Sequence, residues 1–228
     1  KNKLSIIYFE KPNSGPGPTR NKAAEKANYE WLIFFDSDCI IPEKYIESVT
    51  SYLNSNAIDA YGGPDAALQS FSPLQKAINY SMTSFFTTGG IRGGSKTMDK
   101  FHPRSFNLGV SRKAFNDLKG YGTMRFGEDI DFSLRLIKAG FKTALITNAY
   151  VYHKRRTNFR QFFKQVFNSG IARINLHLLH PGSLKVVHSL PACFVIGVAV
   201  ILILSLFYPP LLLLPITYSI LIFIDSLL

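Results

Sequence analysis

Trp31-Leu32-Ile33-Phe34-Phe35 runs without a break into Asp36-Ser37-Asp38. Five consecutive apolar residues, aromatic and β-branched, have the length of a strand buried on both faces, the usual state of a central strand in a parallel sheet. Two carboxylates one residue apart then stand where the strand ends. In open α/β sheets, ligands collect outside the carboxyl ends of the strands. Paired acids at such an edge repel unless a cation lies between them, and hard oxygen donors favour Mg2+ or Mn2+. An acidic loop after a core strand has the same local sequence, so the pair gains meaning only from its surroundings.

Those surroundings alternate. Lys3–Phe9 reads as a strand, Arg20–Asn28 as a short helix, and Pro42 opens a helix with Ile46, Val49 and Leu53 on one face. Ala57–Tyr61 and Phe106–Val110 read as short strands, and Pro73–Phe86 as a helix. Thr87–Lys100 carries four glycines and is expected to be a loop near the site. A helix over Ile130–Ala139 aligns Ile130, Leu134 and Ile137, with Gly140 in the position of a left-handed cap. Extended segments at Lys142–Thr147 and Ala149–Tyr152 follow. Strand–helix alternation of this kind predicts an α/β domain with a mostly parallel sheet.

The charge is distributed unevenly. Residues 1–131 carry 16 Lys/Arg and 14 Asp/Glu, whereas residues 132–228 carry 10 Lys/Arg against Asp225 alone. An evenly basic chain would suggest nucleic acid. A balanced domain, then a basic amphipathic stretch (Thr157 to about Leu179), then an apolar tail points instead to an anionic membrane surface, with no nucleic-acid partner. Leu190–Tyr208 is a charge-free run of 19 residues, about 28 Å as a helix and close to the thickness of a bilayer core. Pro209-Pro210 breaks it, and Leu211–Ile224 is apolar again. The basic residues before the tail place the N-terminal side in the cytosol, attached to the cell membrane. A transmembrane helical hairpin and a re-entrant pair both fit. The two cysteines, Cys39 beside the acidic pair and Cys193 in the tail, are expected to stay reduced, and their spacing does not indicate zinc.

Three further groups can carry chemistry. Gly127-Glu128-Asp129-Ile130-Asp131 opens a helix, where acids are favoured by the dipole, but three within four residues exceed what capping needs. One of them can act as a general base toward a hydroxyl. Tyr152-His153-Lys154-Arg155-Arg156 sets a histidine before three cations, suited to a metal or phosphate and equally to a membrane surface. Asn13–Asn21 is a glycine- and proline-bearing loop with Arg20 near a helix start, and it lacks the Gly-Lys-Ser/Thr ending of a P-loop.

In order and spacing, Arg20-Asn21, Asp36-Ser37-Asp38, Asn107-Leu108-Gly109-Val110-Ser111-Arg112, Gly120-Tyr121-Gly122 and Gly127-Glu128-Asp129 together resemble the family 2 glycosyltransferases of GT-A fold, a Rossmann-like architecture. His153 and Phe159–Gln165 extend the match, and the tail resembles membrane-attached members that build exopolysaccharides. The resemblance implies transfer of a sugar from a nucleotide-diphosphate donor to a hydroxyl of a glycan or lipid-linked acceptor, with inversion. It implies that Asp129 is the base and Glu128 positions it. Asp38, with Asp36 and His153, would hold the divalent metal. Asp36, Arg20, Arg156 and Arg160 would contact the nucleotide and diphosphate, and Asn107 and Asp131 would lie on the acceptor side. It divides the chain into a catalytic domain at 1–156, a basic amphipathic region at 157–188 and apolar membrane segments at 189–228.

Against the family's pattern, the chain opens at what corresponds to the third strand. An N-terminally truncated catalytic domain, inactive by itself, is therefore the expectation. The Gln-x-x-Arg-Trp signature of processive members is absent, since Gln161-Phe162-Phe163-Lys164 occupies that region. Two alternatives remain open at this point. One is a phosphatase of the haloacid-dehalogenase class with Asp36 as nucleophile. The other is a non-catalytic, membrane-associated fragment.

Overall fold

The computed structural model describes residues 6–66, 70–84, 87 and 101–227. The strand expected at Lys3–Phe9 lies partly outside this range, and Ile6–Phe9 pairs with no strand among the described residues. The loop expected at Thr87–Lys100 lies outside it except for Thr87. The chain forms two compact units, residues 1–66 with 96–154 and residues 67–95 with 155–228.

In the first unit, helix α1 (Pro16–Lys26) leads into strand β1 (Trp31–Phe35), β2 (Cys39–Ile40), helix α2 (Tyr45–Ser55), β3 (Ala60–Gly62) and β4 (Asp65–Ala66). Strand β5 (Asn107–Ser111) follows, then a short helix at Arg112–Asp117, a helix at Glu128–Lys138, and strands β6 (Thr143–Leu145) and β7 (Val151–His153). One sheet has the order β1-β5-β3-β6 and a smaller one the order β2-β7-β4. β1 and β3 both pair antiparallel with β5, while β3 pairs parallel with β6.

The sheet is therefore mixed, and the expected mostly parallel sheet is corrected. β1, β3 and β6 do share a direction, as strand–helix alternation requires. β5 inserts between β1 and β3 running the other way. Gly109 makes that insertion possible, because a Cβ there would stand 2.0 Å from the Tyr61 ring. The antiparallel register also sets Asn107, the first residue of β5, opposite Phe35, the last of β1. The start of one strand thus lies at the edge where the other delivers Asp36.

β1 is covered on both faces. Leu32 and Phe34 pack with Leu108, Val110, Phe115, Phe132 and Leu136. Trp31, Ile33 and Phe35 pack on the other side with Tyr45, Val49, Tyr61, Ile146 and Val151. Each fully buried side chain of this size contributes roughly 2 kcal/mol. Two helices bury faces that differ in part from those expected, although Val49 is buried as expected. Tyr45 and Val49 are buried while Ile46 is exposed, and Phe132 and Leu136 are buried while Ile130, Leu134 and Ile137 are only partly so. The polar ends of the buried side chains explain the first offset, since the Tyr45 hydroxyl reaches the buried Asn107. Gly140 adopts φ +83° after the second helix, the left-handed cap expected there.

In the second unit, α3 (Pro73–Thr83) begins at a reciprocal cap between Ser72 and Gln75. Two long helices follow it, Phe159–Leu179 and then Leu190–Leu204, with a last one at Leu213–Leu227. Phe159–Leu179 buries Ala172 and Leu176 and leaves Phe159, Phe163, Phe167, Ile174 and Leu178 more than half exposed. The 19-residue span expected at Leu190–Tyr208 is shorter, since its helix has 15 residues and ends at Leu204. Its termination follows from Pro209, which disfavours helical backbone at Tyr208, and Tyr208 has φ −137° and ψ 85°. One helical stretch among the described residues, Pro209–Leu227, in which a 3-10 turn at Pro209–Leu212 runs into the last helix, has the length and composition to cross a membrane, with 19 residues and a mean hydropathy of 1.8. Phe194 and Tyr218 bring the two apolar helices together, and Asp225 accepts hydrogen bonds from Tyr80 (2.5 Å) and Ser84 (2.9 Å).

Candidate active site

Arg20 is the pivot of the charged cluster in the first unit. Its helix begins at Pro16, so Arg20 lies one turn in, not at the helix start as expected. Asn21 fixes it there by exchanging two hydrogen bonds with the Tyr121 backbone at 2.8 and 2.9 Å. Gly17 lets the helix come close, because a Cβ there would stand 2.8 Å from the Gly122 carbonyl oxygen. From this position the Arg20 guanidinium lies over the Tyr121 ring and donates to Asp36 Oδ1 (2.7 Å) and Glu128 Oε1 (2.8 Å). Burial disfavours its charge, but Tyr121, Asp36 and Glu128 more than offset this and hold its pKa above the ordinary value.

The Glu128–Lys138 helix is entered through Gly127 at φ 81°, a left-handed conformation that glycine adopts without strain. Glu128 and Asp129 then occupy its first turn. Their environments push them apart. Burial, and then repulsion by Asp129, raise the Glu128 pKa, with the Arg20 bond opposing. Burial would also raise Asp129, but the charge of Arg104 and its 2.6 Å hydrogen bond outweigh this and hold Asp129 below the usual carboxylate range. The Ile130 amide donates to the other Asp129 oxygen at 2.9 Å. Each oxygen keeps a lone pair for a further donor. Ser133, whose hydroxyl donates to the Pro103 carbonyl, ties this helix to the segment that carries Arg104.

Asp131 faces elsewhere. It is buried and accepts two bonds from Arg135, at 2.8 and 3.0 Å, and Arg135 also donates to the Leu118 and Gly120 carbonyls. Asn107 is fully buried with its amide committed: Tyr45 donates to its oxygen at 2.6 Å and its nitrogen donates to Ala149 O at 2.7 Å. Both brace the frame around the acids.

Asp36 and Asp38 take different partners. While Asp36 pairs with Arg20, Asp38 Oδ1 lies 3.2 Å from His153 Nε2. Cys39 stands opposite His153 in the β2–β7 register, so a donor atom from each of Asp38, Cys39 and His153 falls within 4.8 Å of the others. A carboxylate, a thiol and an imidazole within that reach suit a divalent cation. Phe106 serves both neighbours, its ring stacked on His153 and its carbonyl oxygen 3.5 Å from the Cys39 sulfur. Burial pushes the Cys39 thiol up to about 11. Arg156 and Arg160 belong to the second unit, where Arg156 donates to Gln165 at 3.2 Å.

Sequence reasoning passed over Arg104, Arg135 and the convergence of Cys39 with His153. Arg104 lies in an irregular stretch without periodicity. The Cys39–His153 approach depends on a register between strands far apart in the chain; adjacency to Asp38 was the one available signal.

Comparison with known proteins bears on the cluster. The chain is 27% identical over 176 residues to the O-antigen chain rhamnosyltransferase RfbN of Salmonella typhimurium, covering 74% of this chain and 55% of that protein. It is 28% identical over 175 residues to the O-antigen chain rhamnosyltransferase WbaN of Salmonella anatum, covering 73% and 55%. The chain thus spans about half the length of the curated relatives it matches. S. aureus TarS 1–349 in complex with UDP-GlcNAc aligns over 81% of this chain and 52% of that one, at 15% identity and a TM-score of 0.47, too low to bear on the argument. Residues 1–119 match the family described as Glycosyl transferase family 2, and this stretch includes Arg20, Asp36, Asp38 and Arg104. With more than half of its length inside that match, the chain belongs to glycosyl transferase family 2.

Proposed function

We propose that this chain carries the catalytic part of an inverting glycosyltransferase of GT-A type, moving a sugar from a nucleotide-diphosphate donor to a hydroxyl of a glycan or lipid-linked acceptor. The observation that carries the reading is the Arg20 bridge, which gathers Asp36 from the end of β1 and Glu128 from a helix start beside Asp129. Family membership turns Asp36 away from the phosphatase alternative, in which it would be a nucleophile. The two relatives named as rhamnosyltransferases support a polysaccharide product and make a nucleotide-linked rhamnose the first donor to assay.

In this reading Asp129 accepts the proton of the acceptor hydroxyl. The hydroxyl oxygen attacks the anomeric carbon from the side opposite the diphosphate, and the bond to the diphosphate breaks with its electron pair leaving on oxygen. Arg104 orients Asp129, and Glu128 positions it from the adjacent residue. Asp131 and Asn107 act on the acceptor side by holding the loop and strand that form it. Arg20, released from one of its carboxylates, meets the diphosphate. Asp38 and His153, with Asp36 nearby, would hold a divalent cation, which supplies charge stabilisation for the leaving group when bound.

The second unit serves attachment. The exposed apolar stripe of the Phe159–Leu179 helix, with Arg156, Arg160 and Lys164 around it, suits the cytosolic face of an anionic membrane. The apolar helices after it enter the bilayer as a hairpin, and the Asp225 contacts with Tyr80 and Ser84 return its end to α3.

The test pairs transfer with binding. Asp129→Asn should abolish sugar transfer while leaving donor binding, measured by calorimetry, within a few-fold. Asp38→Ala should remove the metal dependence of donor binding. Transfer at the original rate by Asp129→Asn would overturn the base assignment, and equal metal-dependent binding by Asp38→Ala would overturn the cation site.

A further inference from the structure

We propose that Cys39 is a ligand of the cation site, so that the site selects a thiophilic divalent ion such as Zn2+ or Co2+ over Mg2+. The inference deepens the cation reading above and rests on it for where the ion sits. It adds to that reading which ion binds and through which atoms.

The geometry comes from three independent constraints. Cys39 and His153 are directly opposed in an antiparallel pair, which puts their side chains on one face of the small sheet, with Cβ atoms roughly 5 Å apart. Asp38 is brought to the same place by the turn before the strand, closed by the Cys39 amide donating to the Asp36 carbonyl at 3.1 Å. It is clamped from the far side by the Lys154 amide donating to the Asp38 carbonyl at 3.1 Å. The His153 ring is already held by stacking on Phe106, with centroids 5.1 Å apart and planes 17° from parallel. A mobile imidazole would lose part of its affinity to ordering; this one is set in advance.

The donor set then decides the ion. Mg2+ demands six oxygens in a near-octahedral shell and dehydrates reluctantly. One carboxylate oxygen, one imidazole nitrogen and one sulfur are a poor shell for it. The same three atoms are an ordinary set for zinc, which takes four ligands and leaves the fourth position for water or a substrate oxygen. On binding, the thiol proton leaves to solvent and the sulfur exchanges its contact with the Phe106 carbonyl for the cation. All three side chains are partly exposed, so an ion can enter.

Cobalt reports the ligands directly. The purified protein, carrying Cys193→Ala to remove the other thiol, is titrated with Co2+ and followed by absorption. A sulfur-to-cobalt charge-transfer band should appear in the near ultraviolet, with intense tetrahedral bands in the visible, and excess Mg2+ should not erase them. Cys39→Ser should lose the charge-transfer band and bind Zn2+ about tenfold or more weakly, with an unchanged circular dichroism spectrum. Co2+ binding without the band, or the same band in Cys39→Ser, overturns the role of Cys39 and leaves a cation held by Asp38 and His153. If neither Co2+ nor Mn2+ binds, the cation site fails along with the thiol.

Discussion

Arg104 Nε donates to Asp129 Oδ2 at 2.6 Å, the shortest side-chain contact in the acidic cluster, and it holds Asp129 ionised. Removing the guanidinium should let the burial of Asp129 dominate and raise its pKa. A base must be ionised to accept a proton, so the acid limb of the kcat/KM profile in Arg104→Gln should move to higher pH. The plateau rate should fall roughly tenfold from lost orientation. A pH–rate profile checks this, and a lower rate with an unmoved limb would leave Arg104 a purely structural role.

Glu128 and Asp129 should also respond to pH with opposite signs. The folded pKa of Asp129 is depressed, so its contribution to stability is present above the unfolded carboxylate pKa and is lost as pH falls through the folded value. Glu128 is raised, so its contribution is present below the unfolded pKa and is lost as pH rises through the folded value. At neutral pH, Glu128→Gln should therefore leave stability unchanged or raise it by about 1 kcal/mol. Asp129→Asn should lower it by about 2 kcal/mol, since Arg104 then loses its charged partner. Denaturant unfolding of the two variants side by side separates these signs.

Asn107 is expected to matter through the frame. Asn107→Ala strands the Tyr45 hydroxyl and the Ala149 carbonyl in a dry interior. Leaving two buried polar groups without partners costs about 2–4 kcal/mol. Tyr45→Phe in the same background should recover part of that loss, because it removes one of the stranded groups. No recovery in the double variant would mean that the hydroxyl finds another partner.

What could be read without a structure was local. The run of Trp31–Phe35 and the acids after it declare a buried strand end, because five apolar residues and two carboxylates carry that information among themselves. The place of β5 was not legible. Asn107–Ser111 has strand content but no direction, and its insertion between β1 and β3 depends on how the Tyr61 ring meets the bare backbone of Gly109. The buried helix faces differ in part from the apolar spacing for a related reason. The tip of Tyr45 is polar, yet Asn107 satisfies it inside, so Tyr45 is buried where Ile46 is not. The end of the first apolar helix at Leu204 was hidden too, since hydropathy continues through Leu206 and Phe207 while Pro209 dictates the backbone before it.

The Phe159–Leu179 helix provides the last prediction. Its two faces are unlike. Ala172 and Leu176 are buried, whereas Phe159, Phe163 and Leu178 are each more than 70% exposed, and the Phe163 and Phe167 rings lie 6.3 Å apart along the same face. An apolar stripe beside Arg156, Arg160 and Lys164 should lie in the headgroup region of anionic lipid, with each cation contributing about 1 kcal/mol near the surface. An environment-sensitive fluorophore at Phe163→Cys, in protein carrying Cys39→Ser and Cys193→Ala and reconstituted into vesicles, should shift to the blue with phosphatidylserine and less with phosphatidylcholine. Arg156→Glu, Arg160→Glu and Lys164→Glu together should cancel that difference, as should salt near 1 M, where screening confines charge effects to about 3 Å. Because the probe reads this helix and not the apolar helices after it, a shift indifferent to lipid charge would show that the basic residues do no work at the membrane.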